Sequence, residues 1–171
     1  MLKEYGPIQN LLNIDKKESI MPKIIAKDVP LSEITLRRYE KPYAMPRREA
    51  IRKLCLSLGL LQPGDSRDVI VDVLQSVIET SNKKEFITSE EVQKKVIALR
   101  KKQNLSVNGV AGSNIRRQIK RLRDLHLLEN IKNTYRITEF EDIETLFTDR
   151  IQKFHMSQII DRVQEYCRAV K

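Results

Sequence analysis

The stretch SNIRRQIKRLRDLHLLENIKNTYRIT, residues 113–138, decides how this chain is read. At 100° per residue, Ile115, Ile119 and Leu122 fall within about 40° of one direction. Ser113, Arg117, Lys120 and Arg121 point the opposite way, and Asn114, Arg116 and Arg123 lie on the flanks. One face therefore suits a core and the other carries guanidinium groups able to donate paired hydrogen bonds to phosphates or guanine edges. Arg116, Arg117, Lys120, Arg121 and Arg123 come with no acid before Asp124. Like charges three or four apart on a helix repel by a few tenths of a kcal/mol, so this pattern suggests a polyanionic partner, the alternative being a solvated face. Two short β-prone pieces follow, 128–131 and 135–138, with Lys132-Asn133-Thr134 as a tight turn.

Outward from this stretch, Ser113 reads as the helix cap, and NLSVNGVAG before it as a turn, with an Asn-Gly pair and a second glycine. Thr88 and Glu91 stand in capping-box relation and open a helix through about Gln103 with a Val92, Val96, Leu99 core stripe. Lys94 and Lys101 lie opposite that stripe. Phe86-Ile87 is a short β-prone piece. Val69, Ile70, Val73, Leu74, Val77 and Ile78 recur at three- and four-residue spacing, an amphipathic helix capped by Asp65 or Ser66. Upstream, Pro46 suits a first-turn position, Ala50, Ile51, Leu54, Cys55 and Leu58 form a stripe, and Gly59 ends the helix. Ser32 caps a further short helix, SEITLRRYE, stopped by Pro42. Residues 1–31, with Pro7, Pro22 and Pro30, read as a partly mobile arm in which Met21 is a second possible start. Beyond 139 the chain reads as helix, with Phe140, Ile143, Phe147, Ile151 and Phe154 on one stripe. After a hitch near His155-Met156-Ser157, Ile160, Val163, Cys167 and Val170 resume it.

In order, residues 66–138 give helix, short strand, helix, turn, helix, strand, strand. With the capped basic helix, the Leu-x-x-x-Leu-Leu-type exit and the hairpin ending in Tyr-Arg-Ile-Thr, this segment resembles the winged helix-turn-helix DNA-binding proteins. The family commonly places glycine where this chain has His126, and the turn before Ser113 is longer here. The resemblance implies a mostly α fold with a small β-hairpin: a winged helix domain at 66–138, a helical extension at 32–65 and a C-terminal helix at 139–171. It implies double-stranded DNA as partner, with the 113–125 helix in the major groove. Base contacts would fall to Asn114, Arg117, Lys120 and Arg121, Ser113, Arg116 and Arg123 complete the DNA-binding set on the helix, and on the wing Lys132, Asn133 and Arg136 suit phosphate or minor-groove contact. Neutralising roughly four to six phosphates would give a log–log salt slope of about −4 to −5. The C-terminal stripe, Phe140, Ile143, Phe147, Ile151, Phe154, Ile160, Val163 and Cys167, suits pairing with a second copy. The other reading is packing back onto residues 46–78.

The composition agrees with this class. Of the net charge of +9 over 171 residues, residues 89–138 carry 12 basic and 4 acidic side chains, residues 1–88 carry 15 and 12, and residues 139–171 carry 5 and 7. No apolar run approaches the roughly 18 residues of a membrane span, and the N-terminus has no signal-like apolar run. Cytoplasmic, nucleoid-associated use in a prokaryote is expected, as a transcriptional regulator or a chromosome- or plasmid-associated factor. The Ile- and Lys-rich composition is compatible with an archaeal source. Cys55 and Cys167 read as buried small hydrophobes, with a Cys167–Cys167 bridge across a dimer left open, and no zinc spacing is present. His126 falls on the core side of its helix and His155 stands alone. No Gly-rich phosphate loop, nucleophile elbow, paired-carboxylate motif or His-Glu-x-x-His is found, so neither catalysis nor a metal or other cofactor is expected. Three rivals remain in play. They are a winged-helix protein-interaction module of a replication or transcription assembly, an RNA-binding protein, and a repressor whose effector sits in a cleft between helices. Tyr135 inside the basic window and Phe86 outside it are a thin stacking platform for RNA.

Overall fold

A computed structural model of the protein describes residues 29–171. Residues 1–28, which hold most of the arm read as partly mobile and the second possible start at Met21, lie outside the described residues. Residues Ser32–Lys171 form one unit, mostly helical with a small antiparallel sheet.

Its centre is α2, Val69–Ser81. Ile70, Val71, Val73, Leu74 and Val77 are all at most 1% exposed, so this helix is buried on several sides rather than along one stripe. It touches α1 (Arg47–Ser57), α3 (Ser89–Lys102), α4 (Gly112–Asp124) and the strand at Thr134–Ile137. Polar residues on so buried a helix need internal partners. Ser76 Oγ donates to Asp72 O (2.7 Å), Thr80 Oγ1 to Ser76 O (2.8 Å), and Ser81 Oγ accepts from Ile137 N (2.8 Å). The helix is capped at Asp68 rather than Asp65 or Ser66. Asp65 instead accepts from Arg67 N (2.8 Å) and shapes the loop before the helix.

The capping box of α3 forms as its sequence implies: Thr88 N donates to Glu91 Oε2 (2.8 Å) and Glu91 N to Thr88 Oγ1 (3.3 Å). Those bonds from Thr88 hold the Glu91 carboxyl below its ordinary pKa. β1 (Ile87–Thr88), β2 (Leu128–Ile131) and β3 (Thr134–Ile137) form a sheet in the order β1-β3-β2, with Ile87 opposite Tyr135 and Leu128 opposite Ile137. The β2–β3 turn is two residues long, Lys132 (φ 50°) and Asn133 (φ 64°), a conformation whose twist matches that of the paired strands. Thr134 belongs to β3, not to the turn.

The short helix expected at 32–40 does not form; residues 33–43 carry no regular structure. Arg37 explains why. Its N–H donates to Ser57 O (2.9 Å), and its Nη1 to Leu56 O (3.1 Å) and Leu61 O (3.0 Å). The segment thus bonds to carbonyls at the end of α1 and in the loop after it, while Ile34 and Tyr39 pack on the core. Gly59 (φ +70°) closes α1 for two reasons. The backbone is left-handed there, and a Cβ would stand 2.6 Å from Thr35 Cβ. Pro46 is the residue before the first turn, and Ala50 faces solvent rather than joining the stripe.

The C-terminal helix begins later than expected. Glu139 (φ 54°) and Phe140 (φ 57°) are left-handed, and Asp142 opens α5 (Ile143–Leu146), accepting from Thr145 N (2.8 Å). From Phe147 to Met156 the turns widen into a π-helix, and Ser157–Ala169 returns to α geometry as α6. In an α-helix Leu146 and Ile151 would stand about 140° apart. In a π-helix residues five apart face one side, and both are buried, at 2% and 1% exposure. The hitch in the sequence pattern at 155–157 is the return to the tighter winding.

Half of the proposed pairing stripe is therefore used within the chain. Ile151 is in the core, Ile143 and Phe147 pack against it half-buried, and Phe140 leaves the stripe to meet Phe86 edge-on at 5.4 Å. Phe154, Ile160, Val163 and Cys167 remain exposed, as do Tyr166 and Val170. Cys167 is thus not the buried hydrophobe expected. Cys55 is fully buried, and burial pushes its thiol up to about 12. His126 is exposed beyond the end of α4, with φ 58°. That left-handed backbone is the physical reason a glycine would suit its place. Its ring stands 6.2 Å from that of His155, whose Nε2 is 3.0 Å from Ser32 Oγ.

Candidate nucleic-acid interface

α4 is anchored by Ile115 (0% exposed), Ile119 (1%) and Leu122 (0%), which contribute roughly 1.5–3 kcal/mol each by burial. Gln118, on the flank, is buried as well, and its Nε2 donates to Asn114 Oδ1 (2.8 Å). The helix starts one residue before Ser113: Ala111 precedes its first turn and makes no side-chain cap. Ser113 lies in the first turn and is exposed.

The basic residues of α4 divide into two groups. Arg116, Arg117, Lys120 and Arg123 are exposed on the outward side. Arg117 Nη2 donates to Asn114 Oδ1 (2.9 Å), and Lys120 Nζ lies 2.8 Å from Asp124 Oδ2 in an exposed pair worth a few tenths of a kcal/mol. Both bonds are easily exchanged for a phosphate. Arg121 differs: its Nη2 donates to Leu60 O (2.5 Å) and its Nη1 to Gln118 Oε1 (2.9 Å), tying α4 to the chain just beyond α1. Asn114 also has structural work, since its Nδ2 donates to Gly109 O (2.6 Å) and fixes the loop between α3 and α4.

On the hairpin, Lys132 and Asn133 are exposed at the tip. Arg136 is half-buried and turned away from that role. Its Nε donates to Glu129 Oε1 (2.5 Å), and its guanidinium sits 4.4 Å from the Phe140 ring centre and 5.1 Å from that of Phe86. Asn114, Arg121 and Arg136 are thus the three of the ten nominated contact residues that the fold employs most heavily for itself. Lys94 and Lys101 on α3 are exposed.

Where α1, α2 and α3 meet lies a largely buried charge network with no counterpart in the sequence reading. Asp72 is 0% exposed and meets Arg48 Nε (2.8 Å) and Arg100 Nη1 (2.5 Å), while Asp68 meets Arg48 Nη2 (2.8 Å) and Arg100 Nη1 (3.1 Å). Arg100 Nε also donates to Ser106 O (2.5 Å) in the α3–α4 loop. Burial works against the Asp68 charge, but the two guanidiniums outweigh it and its carboxyl sits below the ordinary aspartate value. Burial likewise opposes the Arg48 charge, and the two aspartates more than offset it. The network fixes α1, α2 and α3 relative to one another and hence the loop from which α4 departs.

A polar cleft of about 880 Å³ adjoins it, between the 65–69 loop, the α3–α4 loop and α4. Arg67, Arg117 and Arg121 all line it. Arg67 is the one the sequence did not single out, because nothing local marks it as a neighbour of α4. Among the described residues, no cluster of three or more His, Cys, Asp or Glu could hold a metal ion, and no helix is long and apolar enough to cross a membrane. Comparison of the chain with protein-family models, with curated proteins and with solved structures finds no match.

Proposed function

We propose that residues 66–138 are a winged helix-turn-helix domain that binds double-stranded DNA, with α4 entering the major groove and the β2–β3 turn lying along the backbone. The order α2, β1, α3, α4, β2, β3 supports this reading. The single observation that carries it is the division of α4: three fully buried apolar residues on one side, and Ser113, Arg116, Arg117, Lys120 and Arg123 exposed on the other. Arg117 and Lys120 are the base-reading candidates. Arg116, Arg123 and Lys132 are placed for phosphates, and Arg121 and Arg136 hold the scaffold. The apolar face of α6, with Ile160, Val163, Tyr166 and Val170 exposed, supports a homodimer that presents two such helices to half-sites about one helical turn apart. In that form the protein would act as a transcriptional regulator or a chromosome-associated factor.

The test is a salt titration of binding to duplex DNA, with single-stranded RNA of equal length as the control. Five exposed cations, Arg116, Arg117, Lys120, Arg123 and Lys132, give an expected log–log slope of about −4 to −5 for the duplex. Arg117→Glu combined with Arg123→Glu should abolish duplex binding and leave the helical circular dichroism intact. Retained binding in that variant would sink the assignment of α4. Equal binding to the RNA would favour the RNA reading, and indifference to both would favour a protein partner.

A further inference from the structure

We infer that the cleft beside α4 is a second anion site, which takes the diphosphate group of a small molecule. The volume, about 880 Å³, lies in the range of about 300–1,000 Å³ usual for small-molecule sites. Its lining side chains are mostly polar or charged, and their carbon atoms supply much of the rest of the wall. Val69 is the one large apolar residue there and no aromatic side chain takes part, which disfavours an apolar ligand and leaves the charged end of a ligand as the part recognised.

The charges decide the sign. Arg67, Arg117 and Arg121 line the cleft, and Asp65 is the one acid among its lining residues. Arg100 is also part of the wall, but all its bonds run to Asp68, Asp72 and Ser106, so it is already balanced within the buried network. The Asp65 carboxylate is occupied in part by Arg67 N. Among the described residues the Arg67 guanidinium has no hydrogen-bond or ion-pair partner, and Arg117 engages one nitrogen only. Guanidinium groups on two sides of a polar recess match a diphosphate, whose oxygens accept paired bonds from each. Ser66 and Asn108 add neutral polar groups to the wall.

This inference rests on the proposed DNA-binding role in one respect, that Arg117 serves both sites. A diphosphate in the cleft and a duplex on α4 then compete, and each must weaken the other by the same factor. The duplex backbone is the other source of the same phosphate chemistry, and the experiment separates the two.

Inorganic pyrophosphate is titrated into the full chain by calorimetry at fixed ionic strength, and duplex affinity is measured with and without it. The expected result is saturable one-to-one binding, weakened about 10-fold or more by Arg67→Ala, the effect of losing charge-assisted bonds. It should be unchanged by Lys153→Ala, which removes the same charge from the far C-terminal helix. Asp65→Asn should tighten it about threefold by removing the opposing charge while keeping the oxygen that accepts from Arg67 N. Absence of saturable binding, or equal weakening by Arg67→Ala and Lys153→Ala, overturns the inference. So does a variant Arg67→Ala that loses duplex affinity in a protein that ignores pyrophosphate, since the cleft would then hold a backbone phosphate. Failure of the wild-type chain to bind duplex would overturn the proposed function and leave the pyrophosphate result readable by itself.

Discussion

At the junction of α1, α2 and α3, two arginines face two aspartates in a site nearly sealed from water; along the outer side of α4, four cations face solvent with Asp124 as their only nearby acid on that helix. The same side chain does opposite work in the two places. Arg100, 5% exposed at its side chain, donates in three directions and holds a loop. Arg123 is exposed and makes no bond among the described residues. A basic count therefore overstates the binding surface, since the fold consumes part of it.

Breaking the buried side of this comparison should have the largest effect. Asp72→Ala leaves Arg48 and Arg100 short of a partner in a site that water hardly reaches, and such uncompensated charges typically cost about 3–5 kcal/mol. Urea denaturation should show that loss, whereas Arg117→Ala should stay within about 0.5 kcal/mol of the parent. Equal losses in the two variants would mean that the exposed face is structural after all.

A second contrast lies within the C-terminal helix. Ile151→Ala removes a side chain that is 1% exposed and should cost about 2–4 kcal/mol of stability. Val163, 55% exposed, has little to lose inside one chain. Val163→Asp should leave the monomer's stability nearly unchanged and shift the protein from dimer to monomer in sedimentation equilibrium. A wild-type chain that is monomeric at high concentration would remove the pairing role of α6 altogether.

These contrasts also mark what the sequence could and could not disclose. The Thr88–Glu91 box and the Ile115, Ile119, Leu122 stripe were legible because each is a local pattern, complete within one or two turns. The helix order and the two-strand hairpin followed from the same kind of signal. Nothing local marks Arg100 as a buried partner, because its carboxylates lie 28 and 32 positions away. Arg121 was assigned to the outward face for a similar reason, since the carbonyl it meets is 61 positions away. The 32–40 segment has a fair helical pattern, yet Arg37 spends its backbone N–H and guanidinium on carbonyls at Leu56, Ser57 and Leu61, 19 to 24 positions away. The stripe after residue 143 was visible, but a strict α period could not reveal that Leu146 and Ile151 share a side.

Acid should act on the buried network before it acts on α4. The Asp68 carboxyl is held below its ordinary value in the folded chain, so the stabilisation it provides is present above about pH 4, the unfolded aspartate value. It is lost as pH falls through the lower folded value. Stability measured from pH 6 down to pH 2 should therefore fall below about pH 4, and Asp68→Asn should flatten that fall from a lower starting level. A parent curve that is flat to pH 2 would contradict the ionised pairing at Asp68.

The finest division falls within α4 itself, between Arg121 and Arg123, two residues apart. Arg121→Ala strips Leu60 O of a charged donor and loosens the tie between α4 and the end of α1, a loss of about 1–3 kcal/mol in stability. Its effect on the salt slope of duplex binding should be small, because its guanidinium is already engaged. Arg123→Ala should do the reverse: stability within about 0.5 kcal/mol, and a slope shallower by about 0.9, the value of one phosphate contact. If Arg121→Ala changes the slope by a full contact at unchanged stability, its bond to Leu60 O yields readily to DNA. The engaged and available cations of α4 would then form one set, and the line drawn between them would have to move to the buried network.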